Sequence, residues 1–220
     1  MASLEIVYGR RPVAEARRGR RRVHRVITAQ DVGTEELTRL AGSPDHQGIV
    51  AEVDPYPYAD PSSLLSTDAA LVVALDQIQD PRNLGAICRS AEAAGATGVV
   101  IPQRRAAAVT AATCKTSAGA VEHLPIARVR NLADWLQAAT QEGAWIYGAE
   151  AGAEGLYTQA SLTGKVVLVL GSEGEGLRPR VAGCCDALIS IPVRGQVGSL
   201  NVAAAAAVLL FEVVRQRGLA

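Results

Sequence analysis

Apolar and polar positions change rhythm once along the chain. In the first part, VHRVIT at residues 23–28 and GIVAEV at 48–53 predict strands, with a short helix near Glu35–Ala41 between them. This small α+β unit runs into the Pro-rich PYPYADPSS, residues 55–63, which predicts a linker. Beyond it come unbroken apolar runs, expected as strands Ala70–Leu75, Gly98–Ile101, Leu124–Val129, Ala144–Gly148, Lys165–Leu170 and Ala187–Ile191. Between and after them helical spacing predicts Leu84–Gly95, Leu132–Glu142 and a terminal helix from about Asn201 to Arg217, with shorter helices near Ala106–Thr113 and Arg178–Gly183. Strands without alternation are covered on both faces, and intervening helices imply parallel order. The expected organisation is an α+β domain over 1–54, a linker over 55–68 and an α/β domain over 69–220, its parallel sheet carrying helices on both faces.

Composition narrows the class. At 220 residues and 49% hydrophobic content the chain suits one large domain with a small appendage, and 20% charged residues exclude disordered and collagen-like classes. The longest apolar stretch, Val202–Phe211, falls well short of the roughly 20 residues that cross a bilayer. MASLEIVYGRR carries no apolar signal segment, so no membrane association and a cytoplasmic setting are expected. Cys88, Cys114, Cys184 and Cys185 show no metal-ligand spacing and His24, His46 and His123 are scattered, so no metal is expected and the thiols read as small core hydrophobes.

The formal net charge of +0 hides an asymmetry. Residues 1–30 hold eight arginines against Glu5 and Glu15, a local excess of +6 that leaves −6 for the remainder. Arg10, Arg11, Arg20, Arg21, Arg22 and Arg25 are candidate RNA-binding residues, because the guanidinium fork matches phosphate oxygens. A merely solvated Arg-rich segment is the alternative.

Ligands of open parallel sheets gather beyond the C-terminal strand ends, so the loops there carry the candidate chemistry. In DQIQDPRNLGAICRSAEAAGA, residues 76–96, Leu84, Ile87, Cys88, Ala91 and Ala94 make a core stripe. The other side sets Arg89 among Gly85, Ala86, Ser90 and Ala93, a surface suited to close packing on a ligand or another chain. Asn83 could equally be a helix cap, and Arg89 an ordinary surface residue. In GSEGEGL, residues 171–177, three glycines allow close backbone approach to a ligand, or form a flexible turn with Glu173 and Glu175 in water. The loop lacks the GK[ST] ending of a P-loop, and no GxGxxG follows the first α/β strand. In SIPVRGQVGSLNVAAAAAV, residues 190–208, Ser199 or Asn201 could cap the last helix, which is apolar almost all round and reads as a buried core helix or a subunit interface.

Taken together, NLGAICRSAEAAGA, GSEGEGL and IPVRGQVGSLNVAAA resemble the three ordered motifs of the SpoU family of RNA ribose 2′-O-methyltransferases in the SPOUT superfamily, most of all its bacterial 23S rRNA (guanosine-2′-O)-methyltransferases. YGRRPV at 8–13 and HQGIVAEV at 46–53 resemble that family's N-terminal RNA-binding domain. The resemblance implies a C-terminal trefoil knot, S-adenosylmethionine as cofactor and a homodimer. It implies catalytic roles for Asn83, Arg89, Glu173, Ser199 and Asn201, and cofactor contacts from Gly171, Ile191, Leu200, Ser199 and Asn201. One departure is clear: only 17 residues separate VHRVIT from HQGIVAEV, so a helix–strand unit of the small domain is missing. The expected function is 2′-O-methylation of a ribose, that of a guanosine, in 23S rRNA. A tRNA or other-site rRNA methyltransferase, including the antibiotic-resistance type, and a catalytically silent RNA-binding or ribosome-assembly factor are the alternatives.

Overall fold

The computed structural model describes residues 3–218. Its first part is β1 (Glu5–Tyr8), α1 (Arg10–Ala16), β2 (Val23–Thr28), α2 (Ala29–Val32), α3 (Thr34–Ala41) and β3 (Ile49–Val53). The strands form an antiparallel sheet in the order β1-β3-β2. β1 and α1 were not expected: EIVY is too short to carry a rhythm, and the buried residues of α1, Pro12, Val13 and Ala16, sit among arginines and a glutamate.

The second part is β4 (Leu71–Leu75), α4 (Pro81–Ala93), β5 (Gly98–Pro102), α5 (Ala111–Thr116), β6 (Ile126–Val129), α6 (Leu132–Gln141), β7 (Trp145–Ala149), β8 (Gly155–Leu156), β9 (Val166–Leu170), α7 (Pro179–Ala182), β10 (Ala187–Ser190) and α8 (Val202–Gln216). Seven strands pair in the order β6-β5-β4-β9-β7-β10-β8, and every pairing is parallel. Alternate residues of each buried strand serve different cores. Leu71, Val73 and Leu75 join Leu84, Ile87, Leu209 and Leu210 beneath α4 and α8, whereas Val72 and Ala74 join Leu132, Leu136 and Val181 beneath α6 and α7. The unbroken apolar runs thus mark a sheet with helices on both faces.

Two helices depart from expectation. The one placed near Ala106–Thr113 begins instead at Ala111, where the Thr110 side chain accepts from the Thr113 N–H. α8 is not buried all round. Val202, Ala206, Leu209, Leu210 and Val213 face the core, while Phe211 is 51% exposed on the opposite side.

The small sheet does not stand apart. Val7, Val13, Ala16, Ala51 and Val53 enter the same core as α4 and α8, and Tyr8, Ile27, Leu37 and Val50 make a smaller one on its other face. The connecting segment 55–68 is anchored through buried Tyr56, Leu64 and Leu65, and the Tyr56 hydroxyl donates to the Val121 carbonyl at 2.9 Å.

Polar groups also lock the two parts together, which corrects one RNA-binding expectation. Arg21 is buried and ion-paired to buried Glu122 and, at 3.0 Å, to Glu5, and the Nη2 that meets Glu122 also lies 3.3 Å from the Cys114 sulfur. Burial opposes the Arg21 charge most strongly of any single influence, but the hydrogen bonds and charges of Glu122 and Cys114 together outweigh it and the guanidinium is held charged more firmly than usual. It is a structural group, out of reach of RNA. Arg20 is also turned inward in part, donating to the Tyr56 hydroxyl and the Leu124 carbonyl, both at 2.9 Å. Arg10, Arg11, Arg22 and Arg25 are exposed and make no ion pair among the described residues.

Candidate active site

Strand order explains why three distant motifs meet. β4, β9, β7 and β10 are successive neighbours in the sheet, so the loops after their C-terminal ends lie side by side although the chain visits them far apart. β4 also marks the reversal of strand order, where open α/β sheets leave a crevice.

The first loop leads into α4. Asp80 caps that helix, its carboxylate accepting from the Arg82 N–H at 2.7 Å, and Pro81 occupies the first turn. The alternative of Asn83 as the cap therefore falls away, and its side chain is free for other work. The second loop follows β9. Gly171 has no room for a side chain, since a Cβ there would lie 2.2 Å from the Gly176 carbonyl carbon. That close approach lets Ser172 and Gly176 bridge back on each other, and Gly174 and Gly176 take positive φ values of 88° and 66° at the turn. The third loop follows β10 and ends at Asn201, whose Oδ1 caps α8 by accepting from the Ala203 N–H at 2.9 Å.

Three polar side chains, one from each loop, make a single network. Asn83 Nδ2 donates to Glu173 Oε1 at 3.1 Å, and Asn201 Nδ2 donates to the same oxygen at 2.6 Å and to Asn83 Oδ1 at 3.1 Å. Glu173 Oε2 accepts nothing among the described residues. Asn201 thus uses one end of its amide to start a helix and the other to join motifs.

Beside the network lies a cavity of about 570 Å³. Gly171, Ile191, Ser199 and Leu200, all expected at the site, line it together with Glu173 and Asn201. Leu170, Ile189 and Val202 supply apolar wall, and the exposed Val193 and Leu200 stand at its rim. The loop after β7, Ala149–Ala151 with Glu150, also lines the cavity and was not anticipated. Only its position at a C-terminal strand end could have flagged it. Arg89 is not drawn into the network. It is exposed on α4 six residues beyond Asn83, about 9 Å along the helix, and makes no hydrogen bond or ion pair among the described residues.

A buried brace stands behind the site. Asp76, at the end of β4, accepts from the Arg178 backbone N–H at 2.9 Å and from its guanidinium Nε at 2.8 Å, tying the first loop to the far end of the second. The cysteines take no part. Burial raises the Cys88 thiol pKa and pushes those of Cys114 and Cys185 up to about 11 and about 12, which keeps them protonated and inert.

A doubly covered parallel sheet with a glycine-lined cavity at its crevice defines a small-molecule-binding α/β protein. Comparison with known proteins is more specific. Residues 70–211 match the SpoU rRNA Methylase family, and residues 27–59 match the RNA 2′-O ribose methyltransferase substrate-binding family. The chain belongs to the SpoU family. It is 40% identical over 98% of its length to an uncharacterized tRNA/rRNA methyltransferase of Synechocystis sp., of which 64% is covered. It is 48% identical over 88% of its length to one of Mycolicibacterium smegmatis, of which 63% is covered. The chain therefore spans a little under two thirds of these relatives. Among solved structures it resembles the SpoU methyltransferase AviRb from Streptomyces viridochromogenes in complex with AdoMet, with a TM-score of 0.82 and 28% identity over 98% of this chain and 91% of that one. An AdoMet-bound rRNA methyltransferase from Sinorhizobium meliloti gives a TM-score of 0.84 and 25% identity, covering 96% and 87%.

Proposed function

We propose that this chain is an S-adenosylmethionine-dependent RNA methyltransferase that modifies a ribose 2′-hydroxyl, with a guanosine of 23S rRNA as the favoured target and a homodimer as the working form. The observation that carries the reading is the Asn83–Glu173–Asn201 network at the mouth of the cavity, since it joins the polar residues of all three motifs. The likeness to AdoMet-bound relatives supports the cofactor.

The residues present suit that cofactor. The cavity is within the range of roughly 300–1,000 Å³ usual for small-molecule sites. Its glycines offer backbone donors and acceptors for a purine and an amino acid, and Leu170, Ile189 and Ile191 offer apolar surface for the adenine ring. When bound, S-adenosylmethionine supplies an activated methyl group, so the protein has only to orient, desolvate and manage one proton.

Glu173 is held by both amides through Oε1, which leaves Oε2 to accept a hydrogen bond from a substrate hydroxyl and to take the proton that hydroxyl loses as its oxygen is methylated. Asn83 and Asn201 fix the carboxylate in place; holding the hydroxyl against the methyl donor is what lowers the barrier, by several kcal/mol and roughly 7–11 in favourable cases. Arg89, exposed and without an ion pair, binds the substrate phosphate and favours the alkoxide electrostatically. Its guanidinium is a poor base, because it does not deprotonate in proteins. Ser199, Leu200 and Ile191 shape the donor pocket.

The test is methyl transfer from labelled cofactor to deproteinised ribosomal RNA, followed by nuclease digestion. Labelled 2′-O-methylguanosine is the expected product. Label on a base, or none on ribosomal RNA or tRNA, would overturn the reading. Arg89→Lys is expected to lose most turnover with cofactor binding intact, since lysine lacks the bidentate fork; near-parental turnover would remove bidentate phosphate recognition from the scheme.

A further inference from the structure

We propose that the loop after β5, with Arg104 and Arg105 at its exposed crown, is a second RNA-phosphate grip beside the candidate active site, holding the single-stranded backbone that flanks the target nucleotide. This rests on the reading of RNA as substrate and adds where the strand runs.

The first observation is how the arginines are partnered. Arg18, Arg21, Arg39, Arg178, Arg180 and Arg215 each pair with a carboxylate. The exposed arginines without an ion pair among the described residues fall mainly into two groups. One is the N-terminal cluster. The other is Arg82, Arg89, Arg104, Arg105 and Arg130, all carried by α4 or by segments at the C-terminal ends of β5 and β6. That is the edge on which the Asn83–Glu173–Asn201 network stands.

None of these five arginines is ion-paired among the described residues. Asp76 is taken by Arg178, and Asp80, which accepts from the Arg82 backbone N–H, and exposed Glu92 are the acids left on these segments. Five guanidinium groups against two such carboxylates leave this edge net positive, and a polyanion supplies the counter-charge on binding.

The loop is also built to stay in place. Gln103 N–H donates to the Val129 carbonyl at 2.8 Å, and Ala107 N–H donates to the Ile78 carbonyl at 2.7 Å. Arg128 donates to the Gln103 carbonyl at 3.0 Å while its guanidinium lies 5.1 Å from the centroid of the Tyr58 ring. The Tyr58 hydroxyl in turn accepts from the Val109 N–H at 3.0 Å. Between these pins Arg105 adopts a φ of 56°, a left-handed conformation uncommon for a residue with a side chain. A loop braced in this way loses little freedom on gripping a phosphate.

Position completes the argument. β5 is the neighbour of β4, and the Ala107–Ile78 bond joins this loop to the one that leads into Asn83. Arg82 is exposed in the first turn of α4, next after the loop that Ile78 belongs to. A strand whose target ribose sits at Glu173 can therefore lay its adjoining phosphates across Arg82 and the crown.

The test compares the parent with R104Q/R105Q, R104K/R105K and a control, K165Q/R215Q, that removes the same charge at the opposite ends of the strands. Binding of deproteinised ribosomal RNA and of total tRNA is measured from 50 to 300 mM salt, alongside S-adenosylmethionine titration and thermal unfolding. For R104Q/R105Q the expected result is parental cofactor binding and unfolding, with RNA Kd raised roughly 10- to 30-fold and the log–log salt slope shallower by about 1.4, near 0.7 per single-strand phosphate contact. R104K/R105K should recover most of the affinity and the control should match the parent. A parental Kd and slope in R104Q/R105Q, or an equal loss in the control, would overturn the grip while leaving the methyltransferase reading intact. If the parent bound neither RNA, the reading of the substrate itself would fall.

Discussion

Asn201 does two jobs with one amide, and the jobs can be separated. Its oxygen starts α8 and its nitrogen reaches Glu173 and Asn83. Asn201→Ser keeps a capping oxygen and removes the amide donors, so it should unfold within about 0.5 kcal/mol of the parent yet lose at least tenfold in methyl transfer. Asn201→Ala should lose the same activity and about 1 kcal/mol besides. Urea unfolding and turnover measured on the two variants separate these outcomes. Glu122 is the opposite case, a residue of stability alone. Removing it leaves Arg21 charged and buried, and Glu122→Ala is expected to cost about 3–5 kcal/mol by urea unfolding. Glu212 predicts a pH dependence. Hydrogen bonds from Arg215 and Gln216 hold its carboxyl down to about 2, below its ordinary value of 4.5. A carboxylate depressed on folding contributes stability above its unfolded pKa and loses it as pH falls through the folded one. Stability should therefore drop between about pH 4.5 and 2, and Glu212→Gln should flatten that part of an unfolding-against-pH curve.

At the scale of elements, α4 shows what a sequence states and what it withholds. Its stripe of Leu84, Ile87, Cys88 and Ala91 is fully buried as helical spacing predicts. The small residues on the other side divide in purpose. Gly85 lies against α5, where a Cβ would stand 2.0 Å from Thr116 Oγ1 and 2.9 Å from the Ser117 backbone nitrogen. Gly85→Ala should therefore destabilise by about 1–3 kcal/mol, despite alanine's better helix propensity. Arg89 on the same helix stays in solvent. The second loop carries a parallel constraint, and Gly171→Ala should disrupt the turn that presents Glu173, abolishing cofactor binding before it unfolds the sheet. Strands were legible because their apolar runs are long and unbroken. β1, β8 and α2 were not, at four, two and four residues each, because so few positions carry no period. Asn83, Glu173 and Asn201 could be picked out as polar residues in glycine-bearing strand-end loops, but their mutual contact could not. It depends on β9 being placed beside β4, a pairing between segments some 90 residues apart. The fate of Arg21 was equally hidden, since its partner Glu122 lies 101 residues away.

For the whole molecule, strand order and charge distribution act together. The order β4-β9-β7-β10 gathers the loops after β9, β7 and β10 around one cavity and sets the start of α4 beside it through Asn83, and the exposed arginines without an ion pair among the described residues collect at the N-terminal sheet and along the edge that holds this cavity. The knot belongs to what the family resemblance implies; no hydrophobic period could announce it, since threaded chains are rare. The N-terminal sheet is held to the parallel one by Arg21, Glu122 and Tyr56, so the N-terminal arginines should move with the cavity as one body. On the proposed function the loops after β9, β7 and β10 form an S-adenosylmethionine site flanked by the Asn83–Glu173–Asn201 network. Isothermal titration of the parent and of Asn201→Ser with S-adenosylmethionine tests it most directly. Saturable binding by the parent and binding at least tenfold weaker in the variant are expected; absence of binding by the parent, or equal affinity in the two, would overturn the assignment of the site.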